Sequence, residues 1–219
     1  MAKALLFFIL LKAGLSLSAV AQQHAVTDSG RVVLLNDNGT WQYEEVISTD
    51  NVAEKANDTS VDISYKKYFR PASSKAILKS QRNKTAIWYN TQSWRKNSTA
   101  FSEASEFSLT TFNGDGYCTI VTEAIQLTYG LMKEAVVKNA QSLATDFKIT
   151  SEELRNVNGR KVMCLTAKAT SQGLKFSFMY YIYTGSIGTT QLICYTSDNI
   201  FNQRKRDFEE LMNGFVVLR

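Results

Sequence analysis

The chain has 219 residues, 44% of them hydrophobic and 21% charged, with 25 Lys and Arg against 20 Asp and Glu. That composition excludes an intrinsically disordered chain, a collagen and a disulfide-dense miniprotein. Removal of residues 1–21, which carry Lys3 and Lys12 and no acid, would leave a net charge of +3. So small a surplus gives no argument for nucleic acid or an anionic membrane as partner.

Residues 1–21 read as a cleaved signal peptide. Lys3 is the charged start, residues 5–11 are an unbroken apolar run, and Ala19-Val20-Ala21 is a small-x-small cleavage site. Lys12 interrupts the run, and about 18 uninterrupted apolar residues are needed to span a bilayer. The expectation is an exported protein, periplasmic or secreted, soluble after cleavage and without a membrane span.

Residues 22–47 read as a small β-hairpin module. The apolar run 31–35 meets Asn36-Asp37-Asn38-Gly39, and Thr40-Trp41-Gln42-Tyr43-Glu44 then alternates. Asn-Gly is a strong hairpin signal because both residues tolerate positive φ. Asp28-Ser29-Gly30 marks an earlier turn, giving a meander of two or three strands. Residues 48–60 are nearly free of bulky apolar side chains and read as a linker.

Residues 61–219 read as one α+β domain. A strand at 85–90 precedes Trp94, which is placed in a turn or short helix. Segments 106–112 and 117–124 flank Asn113-Gly114-Asp115-Gly116 as a hairpin. Residues 131–144 are helical, with Leu131, Met132, Ala135, Val136, Asn139, Ala140 and Leu143 at 3.6-residue spacing. A polar stretch containing Asn158-Gly159 leads to strands at 161–170, 174–184 and 189–197. A last helix, capped by Asp198 or Asn199, carries Phe201, Phe208, Leu211, Met212 and Phe215 in one stripe, with Arg204-Lys205-Arg206 on a solvated face. Residues 175–183 are apolar on both faces of the strand. Both faces of the sheet should then be covered, which favours an antiparallel sheet flanked by helices.

Three segments resemble the PsbP-like fold family. They are Ala86-Ile87-Trp88-Tyr89-Asn90-Thr91-Gln92-Ser93-Trp94, where Thr91 stands in place of a frequent proline; Val157-Asn158-Gly159-Arg160-Lys161-Val162 together with Gln191-Leu192-Ile193-Cys194-Tyr195-Thr196; and Asn213-Gly214-Phe215. The resemblance spans about residues 64–219. It implies a PsbP-like α/β/α sandwich and a non-catalytic binding or assembly role, and it carries over no active-site residue. Residues 30–41 also resemble a small β module found near the N-terminus of exported bacterial proteins.

The chemistry available is sparse. The single histidine, His24, stands three residues into the mature chain, where no held imidazole is expected. Cys118, Cys164 and Cys194 lack CxxC spacing, so no metal site is expected, and no cofactor is. Two readings of the cysteines stay open. Cys164 and Cys194 could bridge in an oxidising compartment, or all three are small buried hydrophobes, the simpler reading. Paired carboxylates are the remaining enzymatic route, with Glu103, Glu106, Asp115 and Glu123 the candidates and Asp115 and Glu123 most simply a turn and a strand-end residue.

The expectation is therefore a non-enzymatic, exported accessory or binding protein of the cell envelope, acting through contacts with a protein partner. The alternatives are a carboxylate-dependent hydrolase, and a small-ligand or glycan module using an aromatic surface of Trp41, Trp88 and Trp94.

Overall fold

The computed structural model describes residues 23–26, 32–35, 39–43 and 62–218. The expected signal sequence at 1–21 and the expected linker at 48–60 lie outside the described residues. Strands β1 (Gln23–Val26), β2 (Val32–Leu35) and β3 (Trp41–Tyr43) form an antiparallel sheet in that order. His24 is therefore strand backbone opposite Leu34, not part of a loose end.

The main domain continues with β4 (Asp62–Tyr68), β5 (Ala76–Lys79), β6 (Thr85–Tyr89), β7 (Trp94–Lys96), β8 (Phe107–Thr111) and β9 (Tyr117–Glu123). Helix α1 (Tyr129–Leu143) follows, then β10 (Lys148–Val157), β11 (Arg160–Ser171), β12 (Leu174–Gly185) and β13 (Gly188–Ser197). A 3-10 turn (Asp198–Ile200), α2 (Phe201–Met212) and β14 (Phe215–Val217) complete the chain.

Eight strands form one sheet in the order β4-β10-β11-β12-β13-β9-β8-β7. It is mixed, because β4 runs parallel to β10 while the other pairs are antiparallel. Local turn chemistry sets much of this register. Asn158 (φ 50°) and Gly159 (φ 80°) close β10–β11, and Gln172 (φ 51°) and Gly173 (φ 78°) close β11–β12. Two successive positive φ values match the right-handed strand twist.

The two faces of this sheet are covered differently. On one, α2 packs Phe208, Leu211 and Met212 against Ile120, Leu192 and Met179, and Ile87 and Phe215 from the three-stranded sheet β14-β6-β5 join the same cluster. On the other lies α1, whose buried Met132 and Val136 meet Leu165, Met163 and Tyr180. The expected sheet flanked by helices holds only in outline: the sheet is not purely antiparallel, a second sheet shares one face with α2, and α1 covers only part of the other.

Several expected elements differ locally. The polar stretch before Asn158 is the ten-residue strand β10. Its Arg155 is 8% exposed, and burial is tolerated because it pairs with Glu153 and Glu209 and donates to the Tyr181 hydroxyl at 2.7 Å. Trp94 opens β7, not a turn. Phe215 lies on β14, not on the helix stripe, because the chain leaves α2 at Asn213. A Cβ on Gly214 would sit 1.8 Å from the Trp88 carbonyl oxygen, so only glycine permits that approach. Neither Asp198 nor Asn199 caps α2; the Asp198 carboxylate instead accepts from Ser177 and pairs with Lys168.

Candidate functional site

The residues first suspected do not converge. Trp94 is 2% exposed and packs at 6.0 Å from the Phe208 ring, so it is core. The space beside it amounts to about 10 Å³, room for one water. Trp88 is half-buried on β6, with the Arg70 guanidinium 4.3 Å above its ring. Trp41 is 55% exposed and stands on β3 of the separate small sheet. No shared aromatic surface of Trp88 and Trp94 forms, since one is capped by an arginine and the other is enclosed.

The carboxylates are also dispersed. Glu106 accepts from Ser80 Oγ, the Gln81 amide and Thr122 Oγ1. Side chains alternate along a strand, so Thr122 and its neighbour Glu123 point to opposite faces, and Glu106 lies across the sheet from Glu123. Asp115, at the far end of β9, accepts from Thr111 and from Arg204 at 2.7 Å. Arg204 also reaches Asp207, so it ties α2 to the β8–β9 hairpin and is not part of a solvated run. Burial opposes ionisation of Asp115, but the Arg204 and Thr111 hydrogen bonds hold its carboxyl below the usual range.

The three cysteines are free and buried. Strand β12 lies between Cys164 on β11 and Cys194 on β13, which pair with Tyr181 and Met179 respectively. The suggested Cys164–Cys194 bridge is therefore blocked by an intervening strand. Cys194 instead sits directly opposite Cys118. Burial pushes the Cys164 thiol up to about 12, and burial with the neighbouring Cys118 pushes Cys194 up as well.

What sequence reasoning missed is a groove of about 640 Å³ between α1 and the large sheet. Alternation builds it. On β9 and β13 the residues facing α2 (Cys118, Ile120, Leu192, Cys194) are 0–1% exposed. Their neighbours facing the other way (Val121, Gln191, Ile193, Tyr195) stay half-buried. Helix α1 sits over β11 and β12, where Met163, Leu165 and Ile182 are buried beneath it and Tyr180 keeps 5% of its surface at the groove. The strip above β13 and β9 is left open.

The wall contributed by α1 is Ala135, Asn139, Ala140 and Leu143. These belong to the apolar stripe read from the sequence, but Leu143 is 88% exposed. The floor holds Tyr195 and Phe178, 5.8 Å apart, and the row of rings continues beyond the groove from Tyr195 to Tyr117 at 5.3 Å and on to Phe101 at 5.9 Å. Phe147 stands edge-on to Phe178 and Tyr180. Glu123 is the only Asp, Glu, Lys, Arg or His on the lining. Size and lining are those of a small-molecule site for an apolar compound.

Among the described residues, no group of three or more His, Cys, Asp or Glu could hold a metal, and no helix is long and apolar enough to cross a membrane.

No protein-family model matches the chain, and no curated protein matches its sequence. Solved structures do. The chain is similar to cyanobacterial PsbP from Synechocystis at 11% identity and a TM-score of 0.53, over 67% of this chain and 94% of that one. Weaker likenesses are a Pseudomonas aeruginosa protein of unknown function (12% identity, TM-score 0.42, 66% and 99% covered) and LpqN of Mycobacterium tuberculosis, involved in cell envelope biogenesis (9%, 0.34, 62% and 83%). At these identities the likeness speaks to architecture alone, and the architecture of this chain is a PsbP-like fold.

Proposed function

We propose that the chain is an exported, non-catalytic accessory protein of the cell envelope that works by holding an apolar ligand between α1 and the open strip of the large sheet. One observation carries this reading: a 640 Å³ groove lined by aliphatic and aromatic side chains from α1, β9, β11, β12 and β13. Apolar surface left in contact with water costs about 25 cal/mol per Å². A groove of this size therefore favours an occupant that removes it. The leader-like residues 1–21 support export, and the PsbP-like architecture is compatible with an accessory role. The dispersed, internally engaged carboxylates support binding over hydrolysis.

The test is titration with N-phenyl-1-naphthylamine, an uncharged dye that fluoresces in apolar surroundings. Saturable binding of one dye per chain is expected. Ala135→Trp, which fills the groove from the half-buried wall of α1, should weaken it at least tenfold with an unchanged circular dichroism spectrum. Absence of saturable binding, or binding indifferent to both Ala135→Trp and Ala140→Leu, would overturn the reading.

A second reading, contact with a protein partner, is favoured by β4. This strand ends the sheet order, and Ile63, Tyr65 and Phe69 are 59%, 94% and 67% exposed. Such an edge can accept an added strand from a partner. Tyr65→Lys should then abolish capture of one crosslinked partner from envelope extract while dye binding persists.

A further inference from the structure

We propose that the groove takes an uncharged lipid, and that an oxygen of its polar end hydrogen-bonds the Tyr180 phenol. This rests on the groove being a ligand site. Three observations lead from the groove to that chemistry.

The first is Tyr180 itself. It is 5% exposed and lines the groove, yet its hydroxyl hydrogen-bonds to no described residue. Three other tyrosines here are satisfied, and those that are not, among them Tyr183 and Tyr195, are more exposed. The Tyr181 hydroxyl accepts from Arg155 and donates to Asn213, that of Tyr129 donates to the Lys161 carbonyl, and that of Tyr117 donates to the Gly114 carbonyl. Phenylalanine would fill the same space without placing a hydroxyl at the groove. The Tyr180 oxygen is also not sealed in protein, since the only fully enclosed side-chain polar atom without a partner among the described residues is Arg204 Nε. It is reached from the groove, where a ligand oxygen can both donate to it and accept from it.

The second is charge. Glu123 is the one charged side chain on the lining, and no lysine, arginine or histidine joins it. A carboxylate or phosphate drawn into the groove would meet apolar walls and a like charge, an uncompensated burial. Glu123 is exposed and two strands from Tyr180, so an ammonium paired with it would stay at the surface and leave the phenol without a partner. The neighbouring polar side chains, Gln191, Asn139 and Ser171, are neutral hydrogen-bonding groups.

The third is shape. Lining residues run along α1 from Met132 to Leu143, about 17 Å at 1.5 Å per residue. The groove is elongated along the helix, as an extended hydrocarbon tail requires.

The experiment displaces bound N-phenyl-1-naphthylamine with three amphiphiles of one chain length, each below its micelle concentration: monolauroylglycerol, laurate and dodecylamine. Monolauroylglycerol should displace the dye at a concentration at least tenfold lower than either ion. In Tyr180→Phe that concentration, corrected for the variant's own dye affinity, should rise about tenfold, and the melting temperature should not fall. Equal or better displacement by laurate or dodecylamine overturns the inference. So does a Tyr180→Phe variant that binds monolauroylglycerol unchanged, or one that melts earlier, which would give the hydroxyl a structural partner. In each of these cases the dye still binds and Ala135→Trp still blocks it, so the groove reading survives. Failure of the dye to bind at all removes the groove reading instead.

Discussion

The two faces of the large sheet are built from the same strands and finished in different ways. Facing α2, alternate residues of β9 and β13 are 0–1% exposed, and Phe208, Leu211, Met212 and Phe215 close over them. Facing α1, the intervening residues remain half-buried beside a 640 Å³ groove. A face closed to native density is a stability device, because each buried side chain there has partners on every side. A face left open spends less on stability and retains surface for something else. The difference separates what holds this protein together from what it binds.

The largest expected effect tests the closed face. Phe208 is 0% exposed and packs between Trp94 and Phe201. Phe208→Ala should cost about 3–5 kcal/mol in urea unfolding, the range for a fully buried phenylalanine. Phe178→Ala on the open face should cost clearly less, since its ring already borders empty space. Equal costs would erase the distinction between the faces.

Gly214→Ala should come next, at about 3 kcal/mol, because the new methyl meets the Trp88 backbone and not a side chain that can swing away. Dye binding in the groove should survive this change wherever the variant is folded. Loss of binding by the folded variant would mean that the faces are coupled.

A smaller effect is expected at the ion pair that ties α2 to the β8–β9 hairpin. Asp115→Asn should cost about 0.5–1 kcal/mol at pH 7, as for a partly exposed pair. Its carboxyl is held below the ordinary value in the folded state. The contribution is therefore fully present above the unfolded carboxylate range and is lost as pH falls through the folded value. Parent and variant should converge in acid unfolding curves. A gap that widens as pH falls would contradict the assignment.

The smallest effect on stability concerns the thiols. Cys118, Cys164 and Cys194 all lie in the closed core and are free. With Cys164 pushed up to about 12 by burial, and Cys194 raised likewise, little thiolate is available to react. A disulfide-exchange reagent should label the protein only at its rate of global unfolding and then count three thiols per chain. Rapid labelling of any one of them would show that the α2 face opens locally.

Much of the architecture was legible because it is local. Asn113-Gly114-Asp115-Gly116, Asn158-Gly159 and Gln172-Gly173 mark turns through backbone conformations that few residues tolerate, and the strands beside them follow. Strand β10 was hidden by its polarity: β10 and β4 form the outer part of the sheet, and the buried Arg155 looks like any surface arginine until Glu153, Glu209 and Tyr181 surround it. The cysteine geometry was hidden because alternation reports a strand's faces and not its neighbours. Cys194 meets Cys118 only because β13 lies between β12 and β9.

The groove was hidden for a related reason. Apolar residues on both faces of β12 predict a sheet covered on both sides. On β12 that is right, since α1 covers Tyr180 and Ile182. One strand further on, the same helix no longer reaches, and Ile193 and Tyr195 face open space. Periodicity cannot report how far sideways a helix extends. Ala135 and Ala140 fit a stripe that packs as readily as one that lines a slot.

The most direct test is a chemical-shift titration of the labelled protein with N-phenyl-1-naphthylamine. Saturable amide shifts are expected at Ala135, Asn139, Ile193 and Tyr195, with Phe208, Leu211 and Phe215 unmoved. Shifts centred on α2, or no saturable shifts at all, would contradict the groove as the binding site.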